Sequence, residues 1–209
     1  MFLPLRDTNR PGTFAVVTYL LVAANVGVFG LQLLSGHNLV SLACYPNKII
    51  ELFHLHLTRI IYLPGLFTYM FLHGGLLHLL GNMLFLWIFG DNVEGYLGRM
   101  RFLKFYLLCG VLAALAQVVA QPGSSVPMVG ASGAIAGVLG AYLVLFPNAK
   151  VHTLVLIWVI KAPAWLFLGI WIGSQVLYSI YSTGAGVAWY AHIGGFIAGA
   201  ALVKTIGKA

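Results

Sequence analysis

The chain has 209 residues, 61% of them hydrophobic and only 7% charged, with a mean hydropathy of +0.96. Soluble domains carry about 25% charged residues, so this composition excludes an ordinary soluble globule and marks a membrane protein. The net charge of +7 comes from residues flanking apolar runs, a pattern that orients a membrane protein and speaks against nucleic-acid binding.

Taken in chain order, apolar runs of about the 20 residues that span a bilayer fall at 14–34, 74–90, 102–120, 128–146, 164–181 and 188–206. They predict an all-α, polytopic six-transmembrane-helix bundle in a single domain over 1–209, with residues 1–13 cytoplasmic and 35–73 forming a long outer first loop. The first run follows Arg6 and Arg10 as a signal peptide would. It is too long for that and lacks a small-x-small cleavage site, so it reads as a retained span. "VHTLVLIWVI", 151–160, lies between Lys150 and Lys161 and is too short to span; it reads as a re-entrant or interfacial piece. Cys44 and Cys109 sit in different settings and support neither a disulfide nor a metal site.

Basic residues collect in short cytoplasmic segments. Six spans put Arg6, Arg10, Arg99, Arg101, Lys104, Lys150, Lys161, Lys204 and Lys208 inside, with both termini, and leave only Lys48 and Arg59 outside.

Polar groups within spans are costly and are functional candidates. Here they are His73, His78 and Asn82 in "FLHGGLLHLLGNML", Ser132 in "GASGA" and His192 in "YAHIGGFIAGA". Each alone reads equally as interhelical hydrogen-bonding glue. Together they share a level, because all lie early in spans that run from outside to inside. If span 4 enters near Pro127 and span 6 near Val187, Ser132 and His192 each sit five residues in, roughly 7–8 Å deep at 1.5 Å per residue.

Helical spacing adds a second constraint. His192, Gly195 and Gly199 fall at i, i+3 and i+7; Ser132, Ala136 and Gly140 fall at i, i+4 and i+8, with Gly133 and Gly137 beside them. Small stripes let helices approach closely in membranes, which a short serine needs if it is to reach an imidazole. The only acids are Asp7, Glu51, Asp91 and Glu94, none at this level, so a Ser132–His192 dyad is expected, its imidazole oriented by packing or a non-acidic hydrogen bond. His78 and Asn82, at i and i+4, share a face and suit an oxyanion hole together with a backbone N–H. His73 need not share that face and suits a structural hydrogen bond.

With these residues in place the chain resembles the rhomboid intramembrane serine proteases over about residues 60–206. The resemblance rests on His73-x4-His78-x3-Asn82, the Gly-x-Ser-Gly of Gly130 to Gly133, Ala191-His192-x-Gly194-Gly195, and "DNVEGYLGRMRFLKFYL", 91–107. It implies Ser132 as nucleophile and His192 as general base and later acid, with His78, Asn82 and the Ser132 N–H as oxyanion hole. It also implies His73 supporting the first loop, and a water-filled cavity that opens outward. The activity implied is cleavage of transmembrane protein substrates near the outer face of the bilayer, in a bacterial or archaeal cell membrane, with no cofactor and no metal. Two positions depart from the family pattern. Pro64-Gly65 stands where many members have Trp-Arg, and Ala136 where many have a tyrosine that packs on the imidazole, leaving open what holds His192.

"YSTGAGVAW", 181–189, reads either as a mobile lid or as a plain connector. Three rival functions are an inactive scaffold that binds transmembrane segments, a small channel or transporter, and a metal site drawing on His54, His56, His73 or His78, which lacks an HExxH motif or partnering carboxylate.

Overall fold

The computed structural model describes residues 2–9, 14–35, 38–53, 57–181 and 186–207. Strand β1 (Phe2–Asp7) leads into helix α1 (Val16–Leu34). The loop that follows carries the short helices α2 (Pro46–Phe53) and α3 (Gly65–Thr68) between 3-10 turns. Helices α4 (Leu76–Leu97), α5 (Arg99–Ala120) and α6 (Ser132–Leu145) come next, then strands β2 (Lys150–Val155) and β3 (Trp158–Pro163), and finally α7 (Ala164–Tyr181) and α8 (Trp189–Gly207).

Helices α1, α4, α5 and α7 are each long and apolar enough to cross a membrane. Helix α6 has only 14 residues, yet every side from Gly133 to Tyr142 is buried, because it stands at the centre against α4, α5 and α8. Outward-facing residues remain apolar, Leu77 at 86% and Leu34 at 87% exposure, as a lipid-facing surface requires.

Two expectations are corrected here. The run expected at 128–146 is helical only from Ser132, because Met128 instead exchanges backbone hydrogen bonds with Cys44 (2.8 and 3.1 Å) and brings the first loop onto the segment before α6. The segment 151–160, expected as one re-entrant or interfacial piece, is most of a β-hairpin, β2 with β3, to which β1 adds antiparallel. Its hydrogen bonds are completed by residues about 150 positions earlier, a pairing that local periodicity does not reveal.

The sheet marks one end of the bundle. Asp7 at the close of β1 accepts from Asn92 Nδ2 (3.0 Å) and from the Tyr142 hydroxyl, tying β1 to α4 and α6. Burial raises the Asp7 carboxyl above its ordinary pKa, opposed by the Tyr142 hydrogen bond. Buried Glu94 accepts from the N–H groups of Val17 (2.9 Å) and Thr18 (2.7 Å) and from the Thr18 hydroxyl (2.8 Å). A carboxylate from α4 thus satisfies free donors in the first turn of α1, where negative charge is favoured. Gly207, ending α8, lies so near Tyr96 that a Cβ would sit 2.5 Å from its ring. Arg6, Arg99, Lys150, Lys161 and Lys204 therefore belong to one end of the molecule. The opposite end holds Lys48, beside Asn47, whose N–H donates to Ser124.

Candidate functional site

The site grows out of the way α6 and α8 meet. A Cβ on Gly195 would lie 2.1 Å from the Gly133 carbonyl oxygen, one on Gly199 1.9 Å from that of Gly137, and one on Gly140 2.1 Å from that of Phe196. The two backbones touch, and only hydrogen fits between them. The glycine stripes expected from spacing are this seam. On α6 the closest line runs through Gly133, Gly137 and Gly140, while Ala136 is fully buried beside it.

At the mouth of the seam, Ser132 is the first residue of α6 and His192 the fourth of α8. Ser132 Oγ and His192 Nε2 are 2.8 Å apart. The contact needs the seam: a residue larger than glycine at 195 would press on the Gly133 carbonyl and separate the helices that carry the two groups, while one at 133 would press on Ala113 of α5 and the Tyr69 hydroxyl (2.8 Å each). As the first helical residue, Ser132 also has a backbone N–H with no acceptor in its own helix.

On α4, Asn82 is buried and its Nδ2 has no hydrogen-bond partner among the described residues. The His78 ring reaches the same place. Gly130 has φ of 119°, a conformation that favours glycine, and a Cβ there would lie 2.7 Å from His78 Cε1 and Nε2 and 3.5 Å from Asn82 Nδ2. Gly130 is therefore required both by its backbone angle and by the approach of those two side chains. A long hydrogen bond from the Gly74 N–H to His78 Nδ1 (3.4 Å) favours the tautomer with its proton on Nε2, the nitrogen nearest Gly130.

His73 precedes α4 and does not lie within it. Its backbone, not its ring, makes the link to α1: the His73 N–H donates to Gln32 Oε1 (2.9 Å), and Gln32 Nε2 donates back to the His73 carbonyl (3.2 Å). The His73 ring meets His78 edge-on at 5.2 Å.

Ser132, His192, His78, Asn82 and Gly130 all line one partly open cavity of about 480 Å³. Among the described residues no three His, Cys, Asp or Glu side chains gather as metal ligands. His54 and His56 lie outside those residues, as do 182–185 of the loop considered as a lid.

Sequence reasoning missed four contributors. Gln117 Oε1 on α5 accepts the Ala191 N–H (3.2 Å) and anchors the first turn of α8 beside the imidazole. Gln175 on α7, 6% exposed, places Oε1 2.8 Å from His192 Nδ1. Trp171 and Trp189 each bring a ring to 6.0 Å from that of His192, so the aromatic support absent at Ala136 comes from α7 and from the start of α8. A signal was present: Phe167, Trp171 and Gln175 repeat at i, i+4 and i+8 along the inward face of α7. At Pro64-Gly65, a Cβ on Gly65 would meet the Ala43 carbonyl oxygen at 2.6 Å; here glycine closes the first loop upon itself.

Comparison with known proteins identifies the family. A family model described as "Rhomboid domain" matches residues 61–209. "Rhomboid protein 1, mitochondrial" of Saccharomyces cerevisiae is 30% identical over 202 residues, covering 92% of this chain and 54% of the yeast protein. "Rhomboid protease GluP" of Bacillus subtilis is 37% identical over 142 residues, 64% of this chain and 25% of its own length. "Putative rhomboid protease YdcA" of Bacillus subtilis is 42% identical over 85 residues, 40% of this chain and 42% of that protein. The chain thus matches about half or less of the length of each of these relatives. Its family match and its apolar helices make it an integral membrane protein and a member of the rhomboid family.

Proposed function

We propose that this chain is an intramembrane serine endopeptidase acting on transmembrane segments of other membrane proteins. The observation that carries the proposal is the 2.8 Å contact of Ser132 Oγ with His192 Nε2, opening onto a cavity lined by Asn82, whose Nδ2 has no partner among the described residues.

His192 Nε2 accepts the Ser132 proton as Oγ attacks the scissile carbonyl. The negative charge that develops on the carbonyl oxygen is met by Asn82 Nδ2, His78 Nε2 and the Ser132 N–H, donors held in place before reaction. The imidazolium then protonates the departing amine, leaving an acyl-enzyme on Ser132. Water entering through the open side of the cavity gives a proton to His192 and hydrolyses the ester. A substrate helix must unwind locally before its peptide bond can enter, so segments weakened by Gly, Ala or polar residues are the preferred class. Gly195 and Gly199 serve the chemistry indirectly by allowing α6 and α8 to touch, and Gly133 by letting α6 pack on Ala113 and Tyr69.

The six longer helices span the membrane in this reading, within a single domain. The end carrying Arg6, Arg99, Lys150, Lys161 and Lys204 faces the cytoplasm under the positive-inside rule, with both termini, and the catalytic cavity opens at the outer face of a bacterial or archaeal cell membrane.

Reconstitution with a fluorescently tagged transmembrane substrate tests this. Wild type is expected to release a cleaved fragment, and Ser132→Ala none. Binding of the segment without cleavage by either protein would replace the protease by the scaffold reading.

A further inference from the structure

The proposed dyad has no carboxylate behind its histidine, yet its imidazole is not left to packing alone. His192 Nδ1 faces Gln175 Oε1 at 2.8 Å, on the opposite side of the ring from Ser132. The orientation of the Gln175 amide is fixed by its other end. Gln175 Nε2 donates to the Trp171 carbonyl (3.2 Å) and to Ser174 Oγ (2.9 Å), while the Ser174 hydroxyl itself donates to that same carbonyl (2.6 Å). Turning the amide over would set Oε1 against the Trp171 carbonyl, acceptor facing acceptor, and aim an N–H at the imidazole.

We propose that Gln175 is the positioning residue of this site, holding His192 in the tautomer protonated on Nδ1 so that the Nε2 lone pair faces the Ser132 hydroxyl. This rests on the Ser132–His192 reading above and adds a third member to it. An acceptor at Nδ1 selects the proton-bearing nitrogen by the hydrogen bond it receives, the service an aspartate performs in soluble triads. A neutral carbonyl does so without burying a charge, which is costly within a membrane helix, and the amide satisfies its remaining donors locally. Trp171, one turn earlier on α7, packs on both His192 and Phe196 (6.0 and 6.2 Å between ring centroids). The helix that supplies the acceptor therefore also restricts the plane of the ring.

The tautomer can be read directly. In protein labelled with 15N-histidine and assigned by a His192→Gln difference spectrum, wild type is expected to show a proton on Nδ1 of neutral His192 and none on Nε2. Gln175→Leu removes the acceptor and should shift the population toward Nε2–H. It should also lower kcat for a transmembrane substrate about 10²-fold with KM within about twofold. Gln175→Glu, which keeps an oxygen at the same reach, should restore both the Nδ1–H form and most of kcat. A wild-type His192 protonated on Nε2 overturns the proposal without need of any variant. So does a Gln175→Leu protein that keeps the wild-type tautomer and kcat. Absence of Ser132-dependent turnover in wild type would remove the protease reading instead, and the tautomer spectrum would still decide whether Gln175 positions His192.

Discussion

The α6–α8 pair and α7 both adjoin His192, but they are held in opposite ways. Between α6 and α8 the backbones touch at Gly133, Gly137, Gly140, Gly195 and Gly199, leaving no side chain that could adjust. Helix α7 touches the rest of the protein along one face, through Ala164, Phe167, Leu168, Trp171, Gln175, Tyr178 and Ser179, and only 22% of its span is buried against 50% for α4. Without a hydrophobic driving force between helices in lipid, close van der Waals contact and interhelical hydrogen bonds must supply the association. The seam uses the first and α7 the second. This teaches that the distance between Ser132 and His192 is fixed by backbone contact, whereas the orientation of the imidazole is set by side chains from a more lightly held helix.

The comparison breaks most severely at the seam. Gly199→Leu places carbon where only 1.9 Å separates a Cβ from the Gly137 carbonyl oxygen. Overpacking of this kind costs on the order of 3 kcal/mol, and thermal unfolding in detergent should show a large drop in midpoint together with lost activity. Asn82→Leu leaves the seam intact but removes a donor from the cavity. It should lower kcat about 10²–10³-fold at nearly unchanged thermal stability. Glu94→Ala lies far from the cavity and should do the reverse, costing about 1–3 kcal/mol by stripping the N–H groups of Val17 and Thr18 of their acceptor, with kcat of the folded fraction preserved. Smallest of all is Leu177→Ala on the outer side of α7, where the side chain is 56% exposed. Its stability should change by less than about 0.5 kcal/mol, and a large change would mean that α7 is held from outside its inward stripe.

The core of this arrangement was legible in the sequence because it depends on regular spacing. Gly195 and Gly199 three and seven residues beyond His192, and the small residues after Ser132, are visible at helical period, and the contact they permit is the one found. What escaped depends on partners distant in the chain. The hairpin at 150–163 is completed by β1 at the opposite end of the chain, and an apolar run between two lysines carries no mark of that pairing. Met128 bonds to Cys44, which delays the start of α6 to Ser132 although the preceding residues are equally apolar. Gln175 was overlooked because an uncharged amide in "WIGSQVLY" resembles ordinary interhelical glue; only the placement of α7 against α8 brings it to Nδ1. Ala136 raised the right question, but its answer, Trp171 and Trp189, comes from other parts of the chain. His73 was expected to support the first loop, and it links that loop to α1 through its main chain and Gln32.

The most direct test of the central claim, that Ser132 and His192 form one reactive pair, is labelling with a serine-directed fluorophosphonate in detergent. Wild type should be modified at Ser132, and both Ser132→Ala and His192→Ala should fall to background, because the nucleophile needs its base. Equal labelling of all three proteins would contradict the account.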